Sequence, residues 1–115
     1  MKLNIAKLYE VIDSGDLKEF SSYLAEDLLF QFGNSSELHG IPEVIEALRS
    51  FYLRIRGVKH FLYKVLDSGD HTFITCDVEY LRLDGTVLRV PAAVLLRHVD
   101  GQISDYRIFV DNSSL

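Results

Sequence analysis

The stretch "TVLRVPAAVLLRHV", residues 86–99, decides the fold. Strand side chains alternate between the two faces of a sheet, so residues two apart share a face. One face of this segment carries Leu88, Val90, Ala92, Val94 and Leu96, and the other carries Val87, Pro91, Ala93 and Leu95. A strand with one solvated face would alternate apolar with polar residues. Here both faces are apolar, so both need cover.

Working outward, "DG" at 100–101, "DG" at 84–85 and "DSGD" at 67–70 are turn signals that separate further period-two segments. Four consecutive strands are predicted, near 59–66, 71–83, 86–99 and 102–110, joined as an antiparallel meander. Ahead of them the period is helical. Ile5, Leu8, Tyr9 and Ile12 form one stripe that Gly15 stops; Asp16 and Glu19 open a second helix with Leu17, Phe20 and Leu24 on its buried face. "LLFQF" at 28–32 reads as a strand. Ile41, Ile45, Leu48, Tyr52 and Ile55 then repeat at helical spacing, from Pro42 in the first turn to Gly57, as the longest helix. Helices followed by strands predict an α+β fold with three N-terminal helices packed on one face of the sheet. Three helices cover one face only. The outer face is therefore expected to meet a second copy of itself, in a homodimer.

A chain of 115 residues, 48% hydrophobic and 25% charged, has the balance of one globular domain spanning 1–115, large enough to fold without staples. Its net charge of −5 argues against a nucleic-acid groove or an anionic membrane surface as partner. No apolar run approaches the roughly 18 residues of a membrane span, and charge interrupts "MKLNIAKLYE" too early for a signal peptide. Cys76 is the single cysteine, which fits a reducing compartment. The expected location is the cytoplasm.

Within "ITCDVEY", 74–80, Asp77 and Glu79 share one side of a strand, where Asp is disfavoured. On a solvated face the pair is ordinary surface. Inside an apolar enclosure the two carboxylates do not both ionise cheaply, and one gains a raised pKa suited to acid–base work. A pairing with Arg89 or Arg107 is the purely structural alternative. Local alternation turns Ile74, Cys76, Val78 and Tyr80 toward the helices and the carboxylates toward water. His60 opens a strand and is a candidate hydrogen-bonding or proton-relay group. His39, His71 and His98 sit in or beside loops without metal-ligand spacing, and the sequence has no nucleophile elbow, phosphate loop or Cys/His couple. No metal and no cofactor are expected.

Taken together, "SGDLKEF…LAEDLLFQF", the "HG" loop, the long helix, "HFLYKVLDSGD" and "RLDGTVLRVPAAVLLRHVDGQISDYRIFVD" resemble the SnoaL-like branch of the nuclear transport factor 2-like superfamily, which includes polyketide cyclases, ketosteroid isomerases and limonene epoxide hydrolases. The resemblance implies a cystatin-like cone in which the helices and a curved antiparallel sheet enclose one deep apolar pocket. It places Asp77, Glu79 and Leu81 on the pocket side, with Phe30, Phe32, Val90, Ala92, Ile108 and Val110. By the same comparison the ketosteroid isomerase base, oxyanion tyrosine and protonated aspartate fall at Phe32, Leu8 and near Ala93. The epoxide hydrolase water-binding pair falls at Phe30 and Phe32, and its Asp–Arg–Asp set at Glu79, Asp77 and Ile108. Neither catalytic set is retained. The expected function is therefore binding of a compact hydrophobic ligand, with Asp77, Glu79 and His60 as candidate acid–base groups for isomerisation or cyclisation. The alternative is a noncatalytic ligand-binding or dimeric interaction module of the same fold.

Overall fold

The computed structural model describes residues 3–115. Helix α1, Ile5–Ser14, starts where the Asn4 side chain accepts a hydrogen bond from the Lys7 backbone N–H, one of the donors a helix start leaves orphaned. It stops at Gly15, whose φ of +76° suits a residue without Cβ and whose N–H reaches the Ile12 carbonyl. Helix α2, Leu17–Ser21, is capped by Asp16, which accepts from the Glu19 N–H at 3.0 Å. Helix α3 is Ile41–Tyr52, with Pro42 in its first turn.

Six strands form one sheet: β1 (Leu24–Phe32), β2 (Leu38–His39), β3 (Ile55–Ser68), β4 (His71–Arg82), β5 (Val87–Val99) and β6 (Gln102–Val110), in the order β2-β1-β6-β5-β4-β3. The meander β3 to β6 is antiparallel, as its turns predict. The sheet as a whole is mixed, because β1 runs parallel to β6. Two apolar residues mark where elements change relative to the sequence reading. Leu24 begins β1 instead of ending the second helix, and Ile55 begins β3, three residues past the end of α3. Both are apolar residues whose spacing fits a helical stripe equally well, so the period alone did not separate helix end from strand start. The two-residue β2 is too short to leave a periodic signal.

All three helices lie on the inner face of the sheet. Leu8, Tyr9, Val11, Phe20, Val44 and Leu48 from the helices pack against Leu28, Phe30, Ile74, Val94, Leu96, Ile103 and Tyr106 from the strands. Leu8, Leu28, Ile74, Leu96 and Ile103 are fully buried, and truncating any one to Ala is expected to cost about 2–5 kcal/mol. Ile55, Cys76, Val78, Tyr80 and Ala92 form a second cluster. The outer face is uncovered and carries Leu66, Phe73 and Phe109 at 58%, 40% and 58% exposure. Among the described residues no helix is long and apolar enough to cross a membrane.

Candidate functional site

The side chain that organises the interior is His60 on β3. The β3–β4 hairpin begins with Ser68 opposite His71, and every pair as far as Lys64–Thr75 keeps that register. At Tyr63 the ladder skips a residue, and beyond it Leu62 faces Cys76 and His60 faces Val78. Such a bulge shifts all later side chains by one, to the opposite face. Without it His60 would share the outer face with Glu79.

Turned inward, His60 meets α1. Its Nδ1 lies 2.6 Å from Asp13 Oδ1, and its backbone N–H donates to Asp13 Oδ2 at 3.0 Å. Tyr9, one helical turn before Asp13 and on the same helix face, presents its ring edge-on to the imidazole with centroids 4.8 Å apart. Both partners are largely shielded, with 14% and 23% of the His60 and Asp13 side chains exposed. A carboxylate only accepts, so Nδ1 carries the hydrogen and Nε2 is left as the nitrogen open to another group.

His60 lines a chamber of about 60 Å³ whose other walls include Phe30, Phe32, Phe51, Tyr52, Val78, Tyr80, Tyr106 and Ile108. The hydroxyls in and behind this wall are held as phenols. Tyr106 and Tyr9 touch at 3.0 Å between hydroxyl oxygens, and burial pushes both pKa values well above the usual phenol range. Burial likewise pushes Tyr52 and Tyr80 up to about 12, and Tyr52 donates to the Ile12 carbonyl at 3.1 Å. The chamber thus combines one imidazole with phenol hydroxyls on an apolar surface. A second, wider cleft of about 510 Å³ adjoins it, lined by Phe32, Phe51, Arg54, Val110 and the C-terminal residues Asp111, Asn112, Ser113 and Leu115.

The predicted site residues divide between these places. His60, Phe30, Phe32 and Ile108 border the chamber, while Val110 borders the cleft. Val90 and Ala92 are on the inner face, packed in the second cluster. Asp77, Glu79 and Leu81 require correction, because they project from the outer face, away from both spaces. Asp77 accepts from the Tyr63 hydroxyl at 2.6 Å and from Arg89 Nε at 2.9 Å, while Arg89 Nη1 lies 3.7 Å from Glu79 and its guanidinium covers the Phe61 ring at 4.1 Å. The hydrogen bonds from Tyr63 and Arg89 hold the Asp77 carboxyl below the usual range, the opposite of the raised value that an apolar enclosure would give. Leu81 is 37% exposed opposite Val87.

Asp13 escaped the sequence reading because it sits in a "DSGD" turn signal, where an acidic residue needs no further reason. Its spacing of four from Tyr9 was the available clue. Among the described residues no three His, Cys, Asp or Glu side chains gather as metal ligands.

A protein from Catenulispora acidiphila DSM 44928 with a ketosteroid isomerase-like fold, solved with trimethylamine, superposes with a TM-score of 0.86 at 18% identity, over 96% of this chain and 86% of that one. An NTF2-like protein of unknown function from Burkholderia pseudomallei K96243 gives 0.86 at 17% identity, over 96% and 89%. A putative SnoaL-like polyketide cyclase from Jannaschia sp. CCS1 gives 0.76 at 15% identity, over 96% and 86%. At these identities the likeness is one of fold: an α+β cone of three helices on a curved sheet. No match was found among curated proteins. The sequence profile of the SnoaL-like domain, however, matches residues 5–106, nearly the whole chain, and the protein belongs to the SnoaL-like domain family.

Proposed function

We propose that this SnoaL-like protein is a cytoplasmic homodimer that binds a small hydrophobic carbonyl compound at the His60 chamber and moves a proton on it, as an isomerisation or cyclisation step. The observation that carries this reading is the His60–Asp13 pair on the wall of an otherwise apolar space. In the proposed reaction, Nε2 of neutral His60 takes a proton from the carbon next to the carbonyl, and the electron pair of that C–H bond moves onto the carbonyl oxygen as an enolate. Asp13 stabilises the imidazolium that forms and keeps the ring in the required tautomer. The Tyr106 hydroxyl, accepting from Tyr9, donates to the enolate oxygen. The imidazolium then returns the proton at the same or another carbon.

The simplest probe is cyclopentanone in D₂O, with exchange of its α-protons followed by NMR. The protein is expected to accelerate exchange over buffer, and His60→Gln to reduce that acceleration by at least about a hundredfold. Equal exchange rates for the two proteins would overturn the proton-transfer reading. Binding of cyclopentanone at His60 with no acceleration would assign the protein to the noncatalytic ligand-binding alternative.

A further inference from the structure

Most sides of the His60 chamber are aromatic. Rings reach it from five elements: Phe20 of α2, Phe30 and Phe32 of β1, Phe51 of α3, Tyr80 of β4 and Tyr106 of β6. Phe32 and Phe51 meet at 5.2 Å between centroids with planes 72° apart, and Phe51 and Tyr80 at 6.1 Å with planes 79° apart, so ring faces point in more than one direction around the space. The face of such a ring is the negative pole of its quadrupole and attracts a cation within about 6 Å. Phe51 already holds one cation, the guanidinium of the cleft residue Arg54, 5.6 Å from its centroid.

Charge favours the same kind of occupant. Among the described residues no lysine or arginine lines the chamber, while the Asp13 carboxylate stands directly behind His60. Its field reaches around the space: burial is the main cause that raises the pKa values of Tyr9, Tyr52, Cys76 and Tyr106, and the Asp13 charge adds to it for all four. With a neutral imidazole the His60–Asp13 pair carries one net negative charge. The Asp13 side chain is 23% exposed and Arg54 is an exposed residue, so salt screens the guanidinium more than the carboxylate.

The class of cation follows from the hydrogen-bonding groups on offer. A metal ion requires several oxygen or nitrogen ligands, and no such set gathers among the described residues. A primary ammonium has three hydrogens to place. The Tyr106 oxygen already accepts from Tyr9, and the Tyr52 hydroxyl is turned to the Ile12 carbonyl. An ammonium whose hydrogens are all replaced by alkyl groups needs no acceptor and matches an apolar wall. At about 60 Å³ the chamber admits only a few heavy atoms, which limits those groups to methyls.

We infer that the chamber also takes a small, free quaternary ammonium ion, held against its aromatic rings and in place of the carbonyl compound. The binding rests on the rings and on Asp13; only its consequence for proton exchange rests on the proposed role of His60.

Tetramethylammonium and tert-butanol have the same number of heavy atoms and nearly the same shape, and differ in charge. In NMR titrations of the full chain at matched ionic strength, tetramethylammonium is expected to shift the His60 Cε1–H, to have its own methyl signal moved upfield by the ring currents, and to bind at least about tenfold more tightly than tert-butanol. A Phe32→Leu, Phe51→Leu double variant keeps the wall apolar and is expected to lose most of that preference. The inference is overturned if the wild-type protein binds both probes equally, a comparison that needs no variant, if the full preference survives in the folded double variant, or if the ion binds without shifting His60. Tighter binding of glycerophosphocholine than of tetramethylammonium would likewise overturn it, by moving the site to a lipid headgroup. The ion is also expected to slow cyclopentanone exchange in proportion to its occupancy. Accelerated exchange in a protein that does not prefer the ion removes this inference and leaves the reading of His60, whereas preference for the ion without exchange removes proton transfer and leaves the ammonium site.

Discussion

At Asp13 one carboxylate holds two donors of the same residue, the ring and the backbone N–H of His60. An amide in its place offers an N–H to Nδ1 as readily as an oxygen, which favours the tautomer with hydrogen on Nε2 and removes the base from the chamber. Asp13→Asn is therefore expected to lower cyclopentanone exchange about a hundredfold with little change in fold, and ¹⁵N shifts of His60 report the tautomer directly. Asp77→Asn is the contrasting case. Its carboxylate lies on the outer face with Tyr63 and Arg89, so exchange is expected to stay within about twofold of wild type. The phenols give a pH signature. Burial holds Tyr52 and Tyr80 up at about 12, whereas in the unfolded chain they ionise near 10. Below pH 10 both states keep these protons and their contribution to stability is complete. As pH rises through the window from 10 to 12, the unfolded chain ionises first and that contribution is lost. Tm is expected to fall through this range, and to fall less in a Tyr52→Phe, Tyr80→Phe double variant, as circular dichroism melts would measure.

Between β3, β4 and β5, side-chain direction is set by the turns. The "DG" at 84–85 suggests a two-residue hairpin, which would set Leu83 opposite Thr86, and hence Asp77 opposite Ala92 and Glu79 opposite Val90. In that register the carboxylates share the face of Val90 and Ala92, as the resemblance also implied. The structure has a three-residue loop, Leu83–Gly85, closed by the Arg82 N–H on the Thr86 carbonyl, with Gly85 at a φ of +88°. Cys76 then faces Ala92 and Val78 faces Val90, and the carboxylates turn outward. A difference of one residue in a turn was enough to reverse the candidate site, although the four-strand meander was plain from the period, with the start of β3 alone lost to the helical stripe that precedes it. Local alternation had put Ile74, Cys76, Val78 and Tyr80 inside, and the core bears that out. His60 was legible as a residue but its direction was not, because the bulge at Tyr63 has no marker in the sequence. Deleting Tyr63 is expected to restore one register from Gly57 to Ser68, take His60 out of the chamber and eliminate exchange. Tyr63→Ala keeps the extra residue and is expected to retain exchange, so the pair separates backbone register from side-chain loss.

For the whole molecule, the outer face of the sheet is what remains to be accounted for. Phe61, Phe73, Pro91, Ala93, Leu95 and Phe109 lie on it, from four adjacent strands, with Asp77, Glu79 and Arg89 toward one edge and Asp105 and Arg107 toward another. An apolar centre with a rim of both charge signs matches the anatomy of a specific interface. A two-fold arrangement would set the same patch against itself, with rim groups of both signs on each copy. Ala93, between Thr75 and Phe109 on the central strands, is small enough to admit close approach of the two sheets. If the homodimer forms through this face, sedimentation equilibrium of the wild-type chain gives about twice the 13.1 kDa protomer mass. Ala93→Arg puts a charge at the centre, where no partner group is set to meet it, and is expected to yield monomers at micromolar concentration. Because its side chain points away from the core, the protomer should keep its helical and strand circular dichroism and its His60 response to cyclopentanone. A wild-type chain that sediments as a monomer at tens of micromolar, or an Ala93→Arg chain that stays dimeric, would rule out this face as the contact.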